Sequence, residues 1–296
     1  MSARWITLGT CGGPFQRPEA FQISNALVVG DDVYLFDAGN GVLRRLTEAG
    51  IDLGRIKGVF VTHHHPDHIA DLGLILLTHW LKPGADRIVI GGPRGTAHLV
   101  DGLAAAYRFT EQTEAPEKPG IADRVTVRES TDAAALVELY RDDAILLEAI
   151  EVAHFRSPDG SAAAEQPHAI GLRITTADRV IAYTGDTGAT AALEDLARDA
   201  DLFVSEVVDV PHIVDDLRLR FASAPAVVER VEFNMRHNHL APKEIGRVAA
   251  AAGVRSVLLT HFVPVQPGDG TQKLVRSTRA AAGGIPVAAA HDLGEY

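Results

Sequence analysis

Short apolar runs alternate with amphipathic stretches along the first half of the chain. Residues 5–8, 26–29 and 33–36 predict strands, and Asp31-Asp32 supplies a hairpin turn between the second and third. Residues 41–49 predict a helix with Leu43 and Leu46 on one face. A buried strand over 58–61 runs into a polar, histidine-rich stretch, and apolar spacing over 67–77 predicts a second helix. A strand over 87–90 and a helix over 94–107 follow, then a polar surface loop over 108–120. The second half repeats the style. Residues 145–152, 169–174, 179–183, 202–207 and 256–260 predict strands, and 189–198, 242–252 and 272–282 predict helices. A small-residue loop over 158–166 joins the first two of those strands. Two β-rich halves, each with helices, imply a sheet-on-sheet core with helices outside.

Composition narrows the class. The chain has 296 residues, 46% hydrophobic and 23% charged, which excludes a disordered or collagen-like polymer. No break in pattern marks a linker, so residues 1–296 are read as one domain. Net charge is 28 − 39 = −11, an unfavourable balance for nucleic acid or an anionic membrane. The expected partner is therefore a small molecule, with no nucleic acid and no membrane. A lone cysteine, Cys11, allows no intrachain disulfide and suits a reducing cytoplasm. No run is apolar and long enough for a membrane span, and residues 1–10 lack the core of a signal peptide.

The informative run is Thr62-His63-His64-His65-Pro66-Asp67-His68. On an extended backbone His63 and His65 point to the same side, a natural metal-binding pair. Asp67 and His68, past Pro66 where a helix starts, project from a different direction and suit a second, adjacent metal. His64 faces away and reads as a packing residue or one that supports the ligands.

His63-x-His65-x-Asp67-His68, with a strand before and a helix after, resembles the signature of the metallo-β-lactamase superfamily. The resemblance implies a four-layer αβ/βα sandwich (α/β, or α+β) with a two-metal site along one edge. It also implies three further ligands, sought at His154 after residues 149–153, at Asp186 in Thr184-Gly185-Asp186-Thr187-Gly188, and at His261 after residues 257–260. On that reading His63, His65, His154 and Asp186 hold one divalent ion. Asp67, His68, His261 and the shared Asp186 hold the other. Nitrogen and oxygen donors without thiolate suit Zn2+, the preferred ion, and also Mn2+ or Fe2+.

Further runs resemble the branch containing ribonuclease Z and the arylsulfatase-like hydrolases. They are Gly9-Thr10-Cys11-Gly12-Gly13-Pro14, Leu35-Phe36-Asp37-Ala38-Gly39 and His239-Leu240-Ala241-Pro242-Lys243-Glu244. The resemblance implies catalytic roles for Asp67 and His239, with Glu206 orienting His239, and Asp37 as an orienter of ligands rather than a ligand. Ribonuclease Z carries a long arm for transfer RNA between the positions matching His154 and Asp186. Here that interval holds only a loop and two strands. With the pattern at His261-Phe262-Val263-Pro264, this favours the arylsulfatase-like group. The expected activity is hydrolysis of a small-molecule ester, a sulfate ester or phosphodiester, by metal-bound hydroxide, in a possible homodimer. A lactonase or carboxylic-ester hydrolase, a ribonuclease Z-like nuclease and a non-catalytic metal-dependent binder are the alternatives. His168, His212, His237, Met235 and Phe262 could line the pocket mouth, but packing or surface roles are favoured for these histidines. His79, His98 and His291 read as structural.

Overall fold

The computed structural model describes residues 2–18, 20–84, 86–131, 134–158, 160, 167–264 and 269–296. Strands β1 (Arg4–Gly9), β2 (Ser24–Val29) and β3 (Asp32–Ala38) form a meander, followed by helix α1 (Val42–Glu48). Next come β4 (Ile56–Phe60), α2 (Pro66–Ile69), α3 (Leu72–Leu81), β5 (Ile88–Gly92), α4 (Thr96–Ala106), α5 (Arg108–Glu114) and β6 (Val125–Glu129). The second half opens with β7 (Val137–Arg141), β8 (Leu146–Val152), β9 (Ala169–Thr175), β10 (Val180–Tyr183), α6 (Ala192–Ala197) and β11 (Leu202–Val208). It closes with α7 (Val210–Arg220), α8 (Pro225–His237), α9 (Pro242–Ala252), β12 (Val257–Val263), α10 (Asp269–Ala281), β13 (Val287–Ala289) and β14 (Gly294–Glu295).

These strands build two sheets, ordered β14-β1-β2-β3-β4-β5-β6 and β13-β12-β11-β10-β9-β8-β7. Each is mixed: β3 to β6 run parallel in the first, and β10 to β13 in the second. Helices cover both outer faces, so the central strands are buried on both sides and read as near-continuous apolar runs. Between the sheets Trp5, Tyr34, Phe36 and Phe60 meet Leu147, Leu172, Tyr183 and Val204. Trp5 lies 5.1 Å from Phe36 and 5.8 Å from Tyr183, ring centre to ring centre. Each such aromatic contributes roughly 1.5–3 kcal/mol by burial. The outer layers are α1, α3 and α4 on one sheet and α6, α9 and α10 on the other. This is the α/β four-layer sandwich.

Three local expectations change. The polar stretch 108–120 begins as a helix, α5, continuing from α4 after Tyr107. The single helix over 67–77 is two, α2 and α3, separated at Ala70-Asp71, where the Asp71 carboxylate turns aside to accept the Gly41 N–H at 2.7 Å. The helical pair α7–α8 had no strong apolar spacing to announce it, because Val210 and Val214 in one and Val228 in the other are its only buried residues. Of the loop over 158–166, residues 159 and 161–166 lie outside the described residues. Among the described residues no helix is long and apolar enough to cross a membrane.

Candidate metal centre

The C-terminal ends of the parallel strands open at one edge of the sandwich. The loop after β4 carries Thr62 to His68, the ends of β8 and β10 lead to His154 and Asp186, and His239 lies between α8 and α9. Two residues reach this edge by β-bulges. The β2–β3 register shifts so that Asp37 is the extra residue between Phe36 and Ala38, with φ 59°. The β11–β12 register shifts so that His261 is the extra residue between Thr260 and Phe262, with φ 47°. A bulge re-aims a side chain that strict alternation would send elsewhere, at the cost of a left-handed backbone.

His63, His65, Asp67, His68, His154, Asp186 and His261, expected as ligands, converge there with His239 and Glu206. All are buried except His65, which is half-buried. His65 Nδ1 lies 2.9 Å from His63 Nε2 and 3.0 Å from His154 Nε2. His261 Nε2 lies 3.3 Å from both His68 Nε2 and Asp67 Oδ2. Asp186 stands between the two groups. Its Oδ1 is 3.2 Å from His261 Nε2 and 3.4 Å from His68 Nε2, and its Oδ2 is 3.9 Å from His154 Nε2.

Outer partners fix the rings. His154 Nδ1 donates to the Asn238 carbonyl at 2.8 Å, which leaves its Nε2 as a bare lone pair. His68 Nδ1 meets Asp37 Oδ2 at 2.9 Å, and Tyr183 Oη donates to the same oxygen at 2.6 Å. The Thr62 N–H donates to Asp37 Oδ1 at 2.8 Å. His239 Nδ1 meets Glu206 Oε2 at 2.7 Å, while Glu206 Oε1 accepts the Thr187 N–H at 2.6 Å and so ties down the loop bearing Asp186. At Gly185 the backbone is left-handed, φ 55°, and a Cβ would press into Thr62. At Gly12 a Cβ would overlap the His261 ring, while the neighbouring Gly13 N–H donates to Asp67 Oδ2 at 2.7 Å.

The donor set fits a divalent cation. Three imidazole nitrogens within 4.8 Å of one another cannot all be satisfied by hydrogen bonds among themselves. The buried Asp186 Oδ1 accepts no hydrogen bond among the described residues. Buried acceptors facing one another in this way are costly unless a positive charge lies between them.

Ionisation follows the same arrangement. Burial pushes His154 down to about 3 and His63 well below the usual imidazole range. Burial also opposes charge on His68, but the Asp37, Asp186 and Asp67 carboxylates outweigh it and hold that ring up. Burial would raise Asp186 too; His261 and His68 beside it hold it well below the carboxylate range. At His239 burial is outweighed by the Glu206 carboxylate, which lifts the ring to about 9.

Other histidines are elsewhere. His64 turns its Nε2 to Thr96 Oγ1 at 3.0 Å, His79 donates to the Asp86 carbonyl, and His168 lies between Arg94 and Glu151. Sequence reasoning missed Tyr183, Asn238 and Phe155. The Phe155 ring packs 4.8–6.0 Å from His154, His65 and His63. Their only signal was adjacency to a ligand run.

Two mixed sheets with helices outside and a His/Asp cluster at their common edge define a divalent-metal hydrolase class. The model of the Beta-lactamase superfamily domain matches residues 33–262, and the chain belongs to the metallo-β-lactamase superfamily. A relative from Mycolicibacterium paratuberculosis (strain ATCC BAA-968 / K-10), a ribonuclease Z, is 28% identical over 272 residues, covering 88% of this chain and 86% of its own. The metallo-β-lactamase fold protein YhfI from Bacillus subtilis superposes with a TM-score of 0.72 at 18% identity, covering 99% of this chain and 98% of its own. Human tRNase Z, short form, superposes at 0.67 with 21% identity and the same coverage. The relatives fit the ribonuclease Z branch; they give the arylsulfatase-like leaning no support.

One expectation is overturned. A small-molecule partner with no nucleic acid conflicts with relatives that are ribonucleases and match nearly the whole chain. Net charge is a poor guide here because −11 averages the whole surface, whereas a ligand at the cluster would meet the field of one edge. There Arg156 is held by the carbonyls of His237 and Ala189, at 3.0 and 3.1 Å, and pairs with no carboxylate among the described residues.

Proposed function

We propose that this chain is a dinuclear phosphodiesterase acting on RNA, in the manner of the ribonucleases Z it resembles. The observation that carries the reading is His239. Its Nδ1 is fixed on Glu206, 2.7 Å away, and lies 3.9 Å from Asp186 Oδ2, which leaves its Nε2 as the nitrogen that would give up a proton. A ribose oxygen leaves phosphorus as a poor, basic alkoxide and needs that proton; an aryl sulfate leaves as a stabilised phenolate and does not.

His63, His65, His154 and Asp186 would hold one ion, and Asp67, His68, His261 and Asp186 the other. Zinc is the preferred metal, with manganese or iron compatible with the same donors. When bound, two such cations supply Lewis acidity and lower the pKa of a water held at the site. The chain's residues then do the rest. Asp37 and Asn238 hold His68 and His154 in single orientations. Asp67, fixed by the Gly13 N–H, orients the attacking water. As the new P–O bond forms and the bond to the ribose oxygen breaks, His239 gives that oxygen its proton. Both sheets contribute to this one cluster, so we read residues 1–296 as one catalytic domain.

The test is cleavage of a precursor transfer RNA and of bis(p-nitrophenyl) phosphate by zinc-loaded protein, beside p-nitrophenyl sulfate. Phosphodiester turnover that Asp186→Ala abolishes supports the reading. Sulfate turnover without phosphodiester turnover sinks it.

A further inference from the structure

Beside the three-histidine group lies an open cavity of about 740 Å³, between the loop after β8 and helix α8. Its volume falls in the range that takes a whole small molecule. Phe155, Arg156, Thr190 and Phe233 line it, with Glu151 at one side and His154 at its floor.

Three features give it a chemistry. The first is a pair of aromatic faces. Phe155 and Phe233 both border the cavity and both are half-buried, so each keeps part of its ring free. Phe233 is itself braced against His237, 4.3 Å between ring centres. The second is an uncommitted cation. Arg156 is anchored by the backbone carbonyls of His237 and Ala189 and balanced by no carboxylate among the described residues, so its charge is available to an anion. The third is distance. The Phe155 ring is shared between cavity and cluster, 4.8 Å from His154 and 5.2 Å from His65. A group packed on the cavity side of Phe155 therefore shares that ring with His154 and His65 of the cluster.

We infer that this cavity is a nucleotide subsite: it takes the base next to the scissile phosphodiester, stacked on Phe233 and Phe155, while Arg156 faces that nucleotide's phosphate. The inference rests on the phosphodiesterase reading and deepens it, since it makes the substrate's base, and not only its phosphate, a determinant of binding. Aromatic rings accept any base face, so the subsite selects for a base being present rather than for its identity. It also requires that base to be unstacked from its neighbours, which favours a single-stranded end over a duplex.

The test is equilibrium binding, which does not depend on turnover. Adenosine 5′-monophosphate and ribose 5-phosphate are titrated into zinc-loaded protein by calorimetry. Stacking of one base is worth roughly tenfold or more in affinity. The nucleotide should bind at least about tenfold tighter than the sugar phosphate. Phe233→Ala should erase that ratio while leaving ribose 5-phosphate binding as it was, and Phe233→Tyr, which keeps a stacking face, should retain it. Arg156→Met should weaken both ligands alike. Equal affinity for the two ligands, or a ratio that survives Phe233→Ala, overturns the subsite. Failure of the two readings is distinguishable. A protein that prefers the nucleotide but cleaves no phosphodiester keeps the subsite and loses the reaction. One that cleaves phosphodiesters without a base preference loses only the subsite.

Discussion

His239 is useful only in one orientation, and Glu206 sets it. With Nδ1 held at 2.7 Å by the carboxylate, the ring is fixed beside the cluster and Nε2 is left as its other nitrogen. His239→Ala should therefore lower kcat for a phosphodiester by about 10²–10⁴, the usual worth of a positioned acid, with zinc content unchanged. Glu206→Gln keeps the volume but replaces the anion, and an outer partner of this kind is worth about 10–100-fold. Its loss should fall on kcat rather than KM, because substrate contacts remain. A fall in KM-controlled rate alone would show that Glu206 serves only the Thr187 N–H. Gly12 acts at the same scale by leaving room. A methyl there overlaps the His261 ring, so Gly12→Ala should weaken zinc binding by about 10–100-fold in a chelator competition while leaving the fold's circular dichroism intact. Unchanged affinity would mean that the bulge bearing His261 can yield.

Elements meet away from the site through Asp142. It lies in the turn between β7 and β8 and accepts from Tyr34 Oη of β3 at 2.6 Å and Tyr140 Oη of β7 at 2.7 Å. It also accepts the N–H groups of Ala144 and Ile145, both at 2.9 Å. The clamp thus joins the two sheets. Burial would raise the Asp142 carboxyl, but the tyrosine hydroxyls and backbone donors outweigh it and hold it below the usual carboxylate range. A lowered carboxyl pKa contributes stability that is present above the unfolded value of about 3.9 and lost as pH falls through the folded one. Asp142→Asn should cost about 1 kcal/mol in urea unfolding at pH 7, discounted for a half-exposed group, and the gap to wild type should narrow below about pH 4. A gap constant with pH would mean that the charge contributes nothing. This clamp was invisible in sequence, because it depends on strands more than a hundred residues apart. What was legible had local periodicity or chemistry: the meander of β1 to β3, the parallel strands and the dense run from Thr62 to His68. The bulges at Asp37 and His261 were not legible, since a one-residue register shift leaves the apolar pattern of a strand buried on both faces unchanged. Nor was the α7–α8 pair, whose faces are mostly solvated. The exclusion of nucleic acid failed for a different reason: total charge does not report the field at one edge.

At the scale of the molecule, the cluster lies across the seam between the two sheets. The loop after β4 brings Asp67 and His68 from the first sheet, and β12 and the loop after β10 bring His261 and Asp186 from the second. Other polar links also cross the sandwich at this edge: Tyr183 Oη to Asp37 at 2.6 Å, the Ile170 N–H to the Thr62 carbonyl at 2.9 Å and the Phe262 N–H to the Thr10 carbonyl at 2.9 Å. Ions held by all seven ligands would bind the folded chain more tightly than the unfolded one, so they raise its stability by mass action. The gain is about 2.7 kcal/mol for one ion at a hundred times its Kd. Without them, buried Asp37, Asp67, Asp186 and Glu206 depend on neighbouring imidazoles and a few N–H and hydroxyl donors to oppose their charge. Chelation of the zinc-loaded protein should therefore lower Tm by several degrees in one cooperative transition, since both sheets lose the same link. Asp186→Ala removes the oxygen donor that lies between the two groups, so its own Tm should respond to chelator by less than half the wild-type shift. If chelation leaves the wild-type Tm unmoved, the cluster holds no ion strongly enough to bridge the sheets. If Asp186→Ala responds as fully as wild type, the two groups bind their ions independently and Asp186 is not shared.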